Sequence, residues 1–191
     1  MSSAYNFQLN NTNAPVTAAF RKRGITAFSD AVEYVRNLSY KRISNRDEFL
    51  LVLEEECGTC SSKHQLLAAL AHENGHTEVQ LTELLFRMNE TNVPGTGKVL
   101  EEYSLPWIPE AHNFLRIGEL IIDATSNSVK IDYANDKISE TPIAVTRTTA
   151  EKHSSHQKAL EHWQQTDAAA SKYTPSELRN IREKCITAIS Q

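Results

Sequence analysis

Glu56-Cys57-Gly58-Thr59-Cys60-Ser61-Ser62-Lys63-His64 is the stretch on which the reading of this chain turns. The apolar run Phe49-Leu50-Leu51-Val52-Leu53 leads into it, and Gln65-Leu66-Leu67-Ala68-Ala69-Leu70-Ala71 leads out with the composition of a helix. That places Cys60 on the first turn of a helix. Unsatisfied N–H groups and the positive dipole end gather there and favour a thiolate. Such a site can bring a cysteine below its free pKa of about 8.5 and make it a nucleophile near neutral pH.

Moving outward, residues 61–73 read as the strongest helix, with Asn74-Gly75 as its stop. Upstream, residues 26–38 carry Ala27, Phe28, Ala31, Val32, Val35 and Leu38 at helical spacing, with Thr26 or Ser29 as cap. Residues 1–15 are polar and end at Pro15, which predicts a loosely packed arm or one lying on the surface. Residues 47–55 and 79–88 fit helix and strand about equally. Residues 99–103 predict one or two helical turns. Residues 111–117 and 120–125 read as a strand pair turning at Gly118, with a further short strand at Ile143-Ala144-Val145. The end of the chain predicts two helices. One spans about residues 149–166. The other opens on Thr174-Pro175-Ser176-Glu177, a capping box with proline at the first helical position. Helices, then strands, then helices argue α+β and one domain over residues 1–191.

With 40% hydrophobic and 23% charged residues, the 191-residue chain has the composition of a soluble globular protein. Its net charge of −4 gives no basic footprint for nucleic acid. No apolar run approaches the ~20 residues of a membrane span, and the start lacks the regions of a signal peptide. Cys57, Cys60 and Cys185 make no disulfide framework, so a reducing, cytoplasmic setting is expected.

His112 and Asp123 lie on opposite arms of the strand pair. A Gly118-Glu119 loop sets Ile117 against Leu120 and leaves Asp123 diagonal to His112, while an Ile117-Gly118 loop sets the two directly opposite. In both registers they share a face, about 5 Å apart at Cβ if opposite and about 7–8 Å if diagonal. A helix-start thiol, a histidine and an orienting aspartate are the parts of a cysteine–histidine–aspartate triad.

Three blocks carry a family resemblance: Gly58-Thr59-Cys60-Ser61-Ser62-Lys63-His64-Gln65-Leu66-Leu67, Ile108-Pro109-Glu110-Ala111-His112-Asn113, and Ile122-Asp123-Ala124-Thr125. They resemble the G-x-C-x-x-x-x-x-L-L helix start, the A-H-x-hydrophobic strand and the hydrophobic-D-x-T strand of the transglutaminase-like superfamily, over roughly residues 45–126. The resemblance implies a papain-like core, in which a nucleophile-bearing helix packs on an antiparallel sheet, with the helices of 149–191 added. It also implies Cys60 as nucleophile, His112 as base and later acid, and Asp123 as orienter. The family's tryptophan after the histidine is replaced here by Asn113-Phe114. The expected activity is acyl transfer, or amide or peptide hydrolysis, on a peptide, protein or small amide or ester. No cofactor, metal, nucleic acid or membrane is implied, and neither substrate nor oligomeric state is given.

Other readings compete. A non-catalytic member of the same superfamily would use the fold as a binding module. Cys57-Gly58-Thr59-Cys60 is also a C-x-x-C at a helix start, as in thiol–disulfide exchangers. Against that stand the acids Glu54-Glu55-Glu56, which raise a nearby thiol pKa, and the missing proline before a later strand. His72-Glu73-Asn74-Gly75-His76 has H-E-x-x-H spacing, but Asn74-Gly75 is expected to end the helix on which that zinc geometry depends. His64, one turn after Cys60, is the second choice as base. His153, His156 and His162 form a partial helix face, and Trp107 and Trp163 read as packing anchors.

Overall fold

The computed structural model describes residues 5–126 and 131–189. The chain mixes helices with an antiparallel sheet. In order it forms α1 (Pro15–Arg21), α2 (Phe28–Asn37), β1 (Ser39–Tyr40), α3 (Leu51–Glu54), β2 (Cys57–Gly58), α4 (Cys60–Glu73), β3 (Gln80–Met88), α5 (Gly97–Glu102), β4 (Ile108–Ile117), β5 (Leu120–Ile122), β6 (Lys137–Pro142), α6 (Thr149–Thr166) and α7 (Pro175–Ile189). The four-stranded sheet has order β5-β4-β3-β6, and β1 pairs in parallel with β2. Two compact units divide the chain. One comprises Met1–Thr82, Asn113–Ser126 and Pro142–Thr146; the other comprises Glu83–His112, Asn127–Thr141 and Arg147–Gln191. Among the described residues no helix is long and apolar enough to cross a membrane.

In the first unit α4 is the central helix, with α1, α2 and α3 packed on it. Phe20, Phe28, Val32, Leu66, Leu70 and Leu115 belong to one apolar cluster. Both ends of α4 are specified locally. At its start Thr59 is the cap, and its N–H donates to Ser62 Oγ at 3.0 Å. At its end the Gly75 N–H donates to the His72 carbonyl and the His76 N–H to the Ala71 carbonyl, each at 3.0 Å. That is a Schellman stop, and Gly75 takes the left-handed conformation it needs, φ +85°. Glu73, the last residue of α4, then caps a second helix. Its carboxylate accepts from the Val16 and Thr17 N–H groups at 3.0 and 2.7 Å, at the positive end of α1.

Several expectations change here. The segment before Pro15 does not hang loosely where it is described. Phe7 stacks on His76 and Phe28, with centroids 3.7 and 4.7 Å apart, and Leu9 is buried. The Leu9 N–H donates to the Thr26 carbonyl and the Phe28 N–H to the Phe7 carbonyl. Residues 1–4 of that arm lie outside the described residues. The α2 cap is Ala27 rather than Thr26 or Ser29, and Asn6 Oδ1 accepts from the Ser29 N–H instead. The segment 79–88 resolves to the strand Gln80–Met88, and within 47–55 only Leu51–Glu54 is helix. β3 buries Leu81, Thr82, Glu83 and Leu84 in succession, so its two faces do not alternate and its period was unreadable. β6 precedes the predicted Ile143-Ala144-Val145 strand, and Ile143 gives its N–H to the Leu81 carbonyl.

In the second unit α7 packs on α5 and α6. The predicted capping box is formed: Glu177 Oε2 accepts from the Thr174 N–H at 2.8 Å, and Thr174 Oγ1 from the Glu177 N–H at 3.3 Å. Leu178, Ile181 and Cys185 form the buried stripe of α7. On the same helix Arg182 makes a bidentate pair with buried Glu110 of β4. His156 of α6 hydrogen-bonds the neighbouring Pro109 carbonyl at 2.9 Å. Burial pushes the Glu110 carboxyl up, but the Arg182 guanidinium more than offsets it and holds the group at about 2.

That pair sets an acid limit on stability. The unfolded carboxyl titrates near 4.5 and the folded one near 2, so the pair's contribution is complete above about 4.5 and fades as pH falls toward about 2. Arg182→Met leaves Glu110 buried without its partner, and we expect a loss of about 3–5 kcal/mol at neutral pH. Urea unfolding at a series of pH values checks this: the gap between wild type and variant narrows as pH drops through that window.

Candidate active site

The site begins where α3 ends. Glu55 closes the helix and Glu56 takes a left-handed turn, φ 51°, which delivers Cys57-Gly58 alongside Ser39-Tyr40. A side chain at Gly58 would put its Cβ 2.9 Å from Lys63 Cγ, 3.0 Å from Ser62 Oγ and 3.2 Å from Val52 Cγ2. Glycine is required because the first turn of α4 folds back over this point. Thr59 then caps the helix, and Cys60 is its first residue, one position before the predicted start at Ser61. Cys60 is 6% exposed. Cys57, Cys60 and Cys185 are thiols without a disulfide. Cys57 packs in the apolar cluster with Val52 and Leu66.

Nothing in the sequence distinguishes Lys63, because a lysine on a helix is expected in solvent. Here it has no exposed surface. Its Nζ donates to the Leu38, Thr125 and Arg36 carbonyls at 2.7, 3.0 and 3.4 Å. Burial lowers its ammonium to about 8, and the Cys60 sulfur, the Asp123 carboxylate and the Cys57 sulfur partly offset that. The cation is therefore within electrostatic range of both the candidate nucleophile and the candidate orienting acid.

His64, also wholly buried, lies between Cys60 and Asp123. Its Nε2 accepts the Ala124 N–H at 2.8 Å, so the ring proton is on Nδ1 and is donated to the Cys60 carbonyl at 2.7 Å. Asp123 Oδ1 is 3.6 Å from Nε2, but a nitrogen that accepts an N–H carries no proton to offer a carboxylate. Both ring nitrogens of His64 are thus engaged by main-chain groups, and it is set aside as the second choice of base.

The strand pair adopts the Gly118-Glu119 loop: Ile117 faces Leu120 and Leu115 faces Ile122, with Gly118 at φ +55°. The second strand is shorter than predicted. β5 ends at Ile122, so Asp123, Ala124 and Thr125 lie beyond it, and side chains replace the ladder. Arg36 Nε and Nη2 donate to the Asp123 carbonyl at 3.2 and 3.0 Å, and Asp123 Oδ1 accepts the Thr125 N–H at 2.9 Å. Ser61 Oγ donates to Asn113 Oδ1 at 2.7 Å, which ties the residue after Cys60 to β4. These contacts place Cys60 and Asp123 in the first unit. His112 closes a segment of the second, 5% exposed, with its ring edge-on to Phe86 and tilted against Tyr133.

The other candidates find ordinary partners. The Schellman stop ends α4 between His72 and His76 and breaks the spacing a zinc helix needs. His72 Nε2 bonds the Val79 carbonyl, and His76 Nδ1 bonds the Tyr5 hydroxyl. Trp107 and Trp163 pack together, centroids 4.6 Å apart.

No protein-family model matches the chain. No curated protein matches it either. Among solved structures, the 1.9 Å crystal structure of a Cytophaga hutchinsonii protein named "Putative Cysteine Protease" is similar at 16% identity and TM-score 0.42. The similarity covers 72% of this chain and 45% of that one, so the chain spans less than half the length of this neighbour.

The buried ammonium makes a signed prediction. Between about 8 and 10.5 the unfolded chain holds the Lys63 proton and the folded chain gives it up, so this residue's contribution to stability rises with pH. Denaturant unfolding across that range is expected to show wild type gaining stability relative to Lys63→Met as pH rises; the comparison cancels the opposite contribution of Cys185, whose thiol burial pushes up to about 11.

Proposed function

We propose that the chain is a thiol-dependent acyl-transfer or hydrolytic enzyme with a transglutaminase-like, papain-like core. In this reading Cys60 is the nucleophile, His112 the base and Asp123 the residue that orients it. The observation that carries the proposal is the Cys60 thiol at the first residue of α4, with the buried Lys63 ammonium in range and the Asp123 segment bonded to the same helix. A helix start and a nearby cation both favour the sulfur's ionised form.

The chemistry follows from those roles. His112 takes the Cys60 proton, and the thiolate attacks the carbonyl carbon of an amide or ester. The tetrahedral intermediate collapses, the leaving amine or alcohol takes the proton from His112, and a thioester to Cys60 remains. Water or an amine then attacks the thioester, with His112 again accepting the proton, and Cys60 is released as thiol. In this reading the Cys60 N–H, on the first turn of α4, contributes to the oxyanion hole. The substrate is a peptide, a protein or a small amide or ester, and a reducing, cytoplasmic setting keeps the thiol available. Dithiol exchange through Cys57 and Cys60 has less support, because Cys57 is an apolar packing residue.

Alkylation tests the roles. With iodoacetamide near pH 6.5, about two units below an ordinary thiol pKa, Cys60 is expected to label well ahead of Cys57 and Cys185. Peptide mapping reads the sites. The preference disappears in His112→Ala, whereas equal, slow labelling of all three cysteines in wild type would remove the basis for the proposal.

A further inference from the structure

We infer that Arg36, Lys63 and His64 are positioning residues that clamp the Asp123–Thr125 segment, and with it the Asp123 carboxylate, to the helix carrying Cys60. The inference rests on the triad reading and adds three residues to it that touch no reacting atom.

Beyond Ile122 the chain leaves the sheet and loses its ladder partners. Ala124 and Thr125 are nonetheless buried, so their polar groups need new ones. The Asp123 carbonyl accepts from Arg36, the Ala124 N–H donates to His64, the Thr125 N–H donates to Asp123 itself, and the Thr125 carbonyl accepts from Lys63. Three side chains from outside the segment thus replace a strand. Lys63 and His64 stand three and four residues after Cys60 and therefore share its face of α4. Arg36 comes from the last turn of α2. Among the described residues, the charged and titratable groups at the segment are Arg36 with its ion-pair partner Glu33, Lys63, His64, Asp123, Cys57 and Cys60.

Packing alone does not select this solution. A buried ammonium and a buried imidazole are expensive next to apolar side chains of equal volume. What they gain is precision: a carboxylate fixed in register with the thiol's own helix. The imidazole is suited to the task in its neutral form, whose Nε2 lone pair takes the Ala124 N–H. Protonation would set an Nε2–H against the Ala124 N–H, so the Asp123 carboxylate is not drawn into an ion pair with His64.

Two measurements on the full chain test the clamp. Ring-nitrogen NMR of wild type is expected to show His64 protonated at Nδ1 only and not titrating between about pH 8 and 5; a ring titrating near its ordinary pKa of about 6.5 would overturn the inference. The second is the pH profile of Cys60 alkylation. His64→Leu is expected to move it the same way as Asp123→Asn, about tenfold slower near neutral pH for each unit the thiol pKa rises. His64→Gln, whose side-chain oxygen can accept the Ala124 N–H, is expected to remain near wild type. Should His64→Leu fail to fold, Arg36→Leu, at a half-buried site, carries the same expectation. If Asp123→Asn and His112→Ala shift the profile while folded His64→Leu or Arg36→Leu does not, the clamp is wrong and the triad stands. If Asp123→Asn and His112→Ala leave the profile unmoved, the triad reading fails, and the clamp as a catalytic device fails with it.

Discussion

A lysine ammonium shut away from water, held by three main-chain carbonyls, is the constraint around which the first unit is arranged. Removing such a charge from solvent costs several kcal/mol unless it is fully solvated by the protein. Lys63 meets that demand with carbonyls from three places: the end of α2, the residue just after it, and the segment beyond β5. One cation therefore joins the second helix, the fourth helix and the hairpin exit. The glycine before the candidate nucleophile follows from the same constraint, since Gly58 lies against the Lys63 stem and has room for no Cβ.

α4 is then used at both ends and along one face. Its first turn presents Cys60. One turn on, Lys63 and His64 bond the backbone that carries Asp123. Its final residue, Glu73, caps α1, and Asn74 donates to Thr17 Oγ1 at 2.9 Å. A helix fixed this firmly can keep a sulfur in one place relative to a carboxylate, and acyl transfer depends on that kind of placement: reacting groups held a few tenths of an ångström off lose much of their advantage.

What was legible in the chain follows from how local each signal is. The Thr174–Glu177 box and Pro175 announce α7, because caps are written in adjacent positions, and α6 appears over the predicted residues. The α4 stop at Asn74-Gly75 is legible for the same reason, and it disposes of the His72–His76 zinc spacing. Of the two readings of the N-terminal segment, the structure follows the arm lying on the surface; its packing is hard to read because Tyr5, Phe7 and Leu9 are separated by polar residues, a period of two hidden in an Asn-rich stretch. Asp123 was expected on a strand because the hydrophobic run before it is strand-like. Nothing local says that β5 stops at Ile122, since the groups that replace the ladder come from Arg36, Lys63 and His64. The burial of Lys63 was the least readable feature, because its partners are carbonyls, which carry no side-chain signature.

In the proposed reaction the Cys60 sulfur attacks carbonyl carbon. Intact-mass and peptide-mapped spectrometry after brief exposure to an activated aryl ester tests it most directly. One acyl group is expected, located on Cys60, absent from Cys60→Ala and strongly reduced in His112→Ala and Asp123→Asn. Acylation spread over all three cysteines, or unchanged in those last two variants, would contradict it.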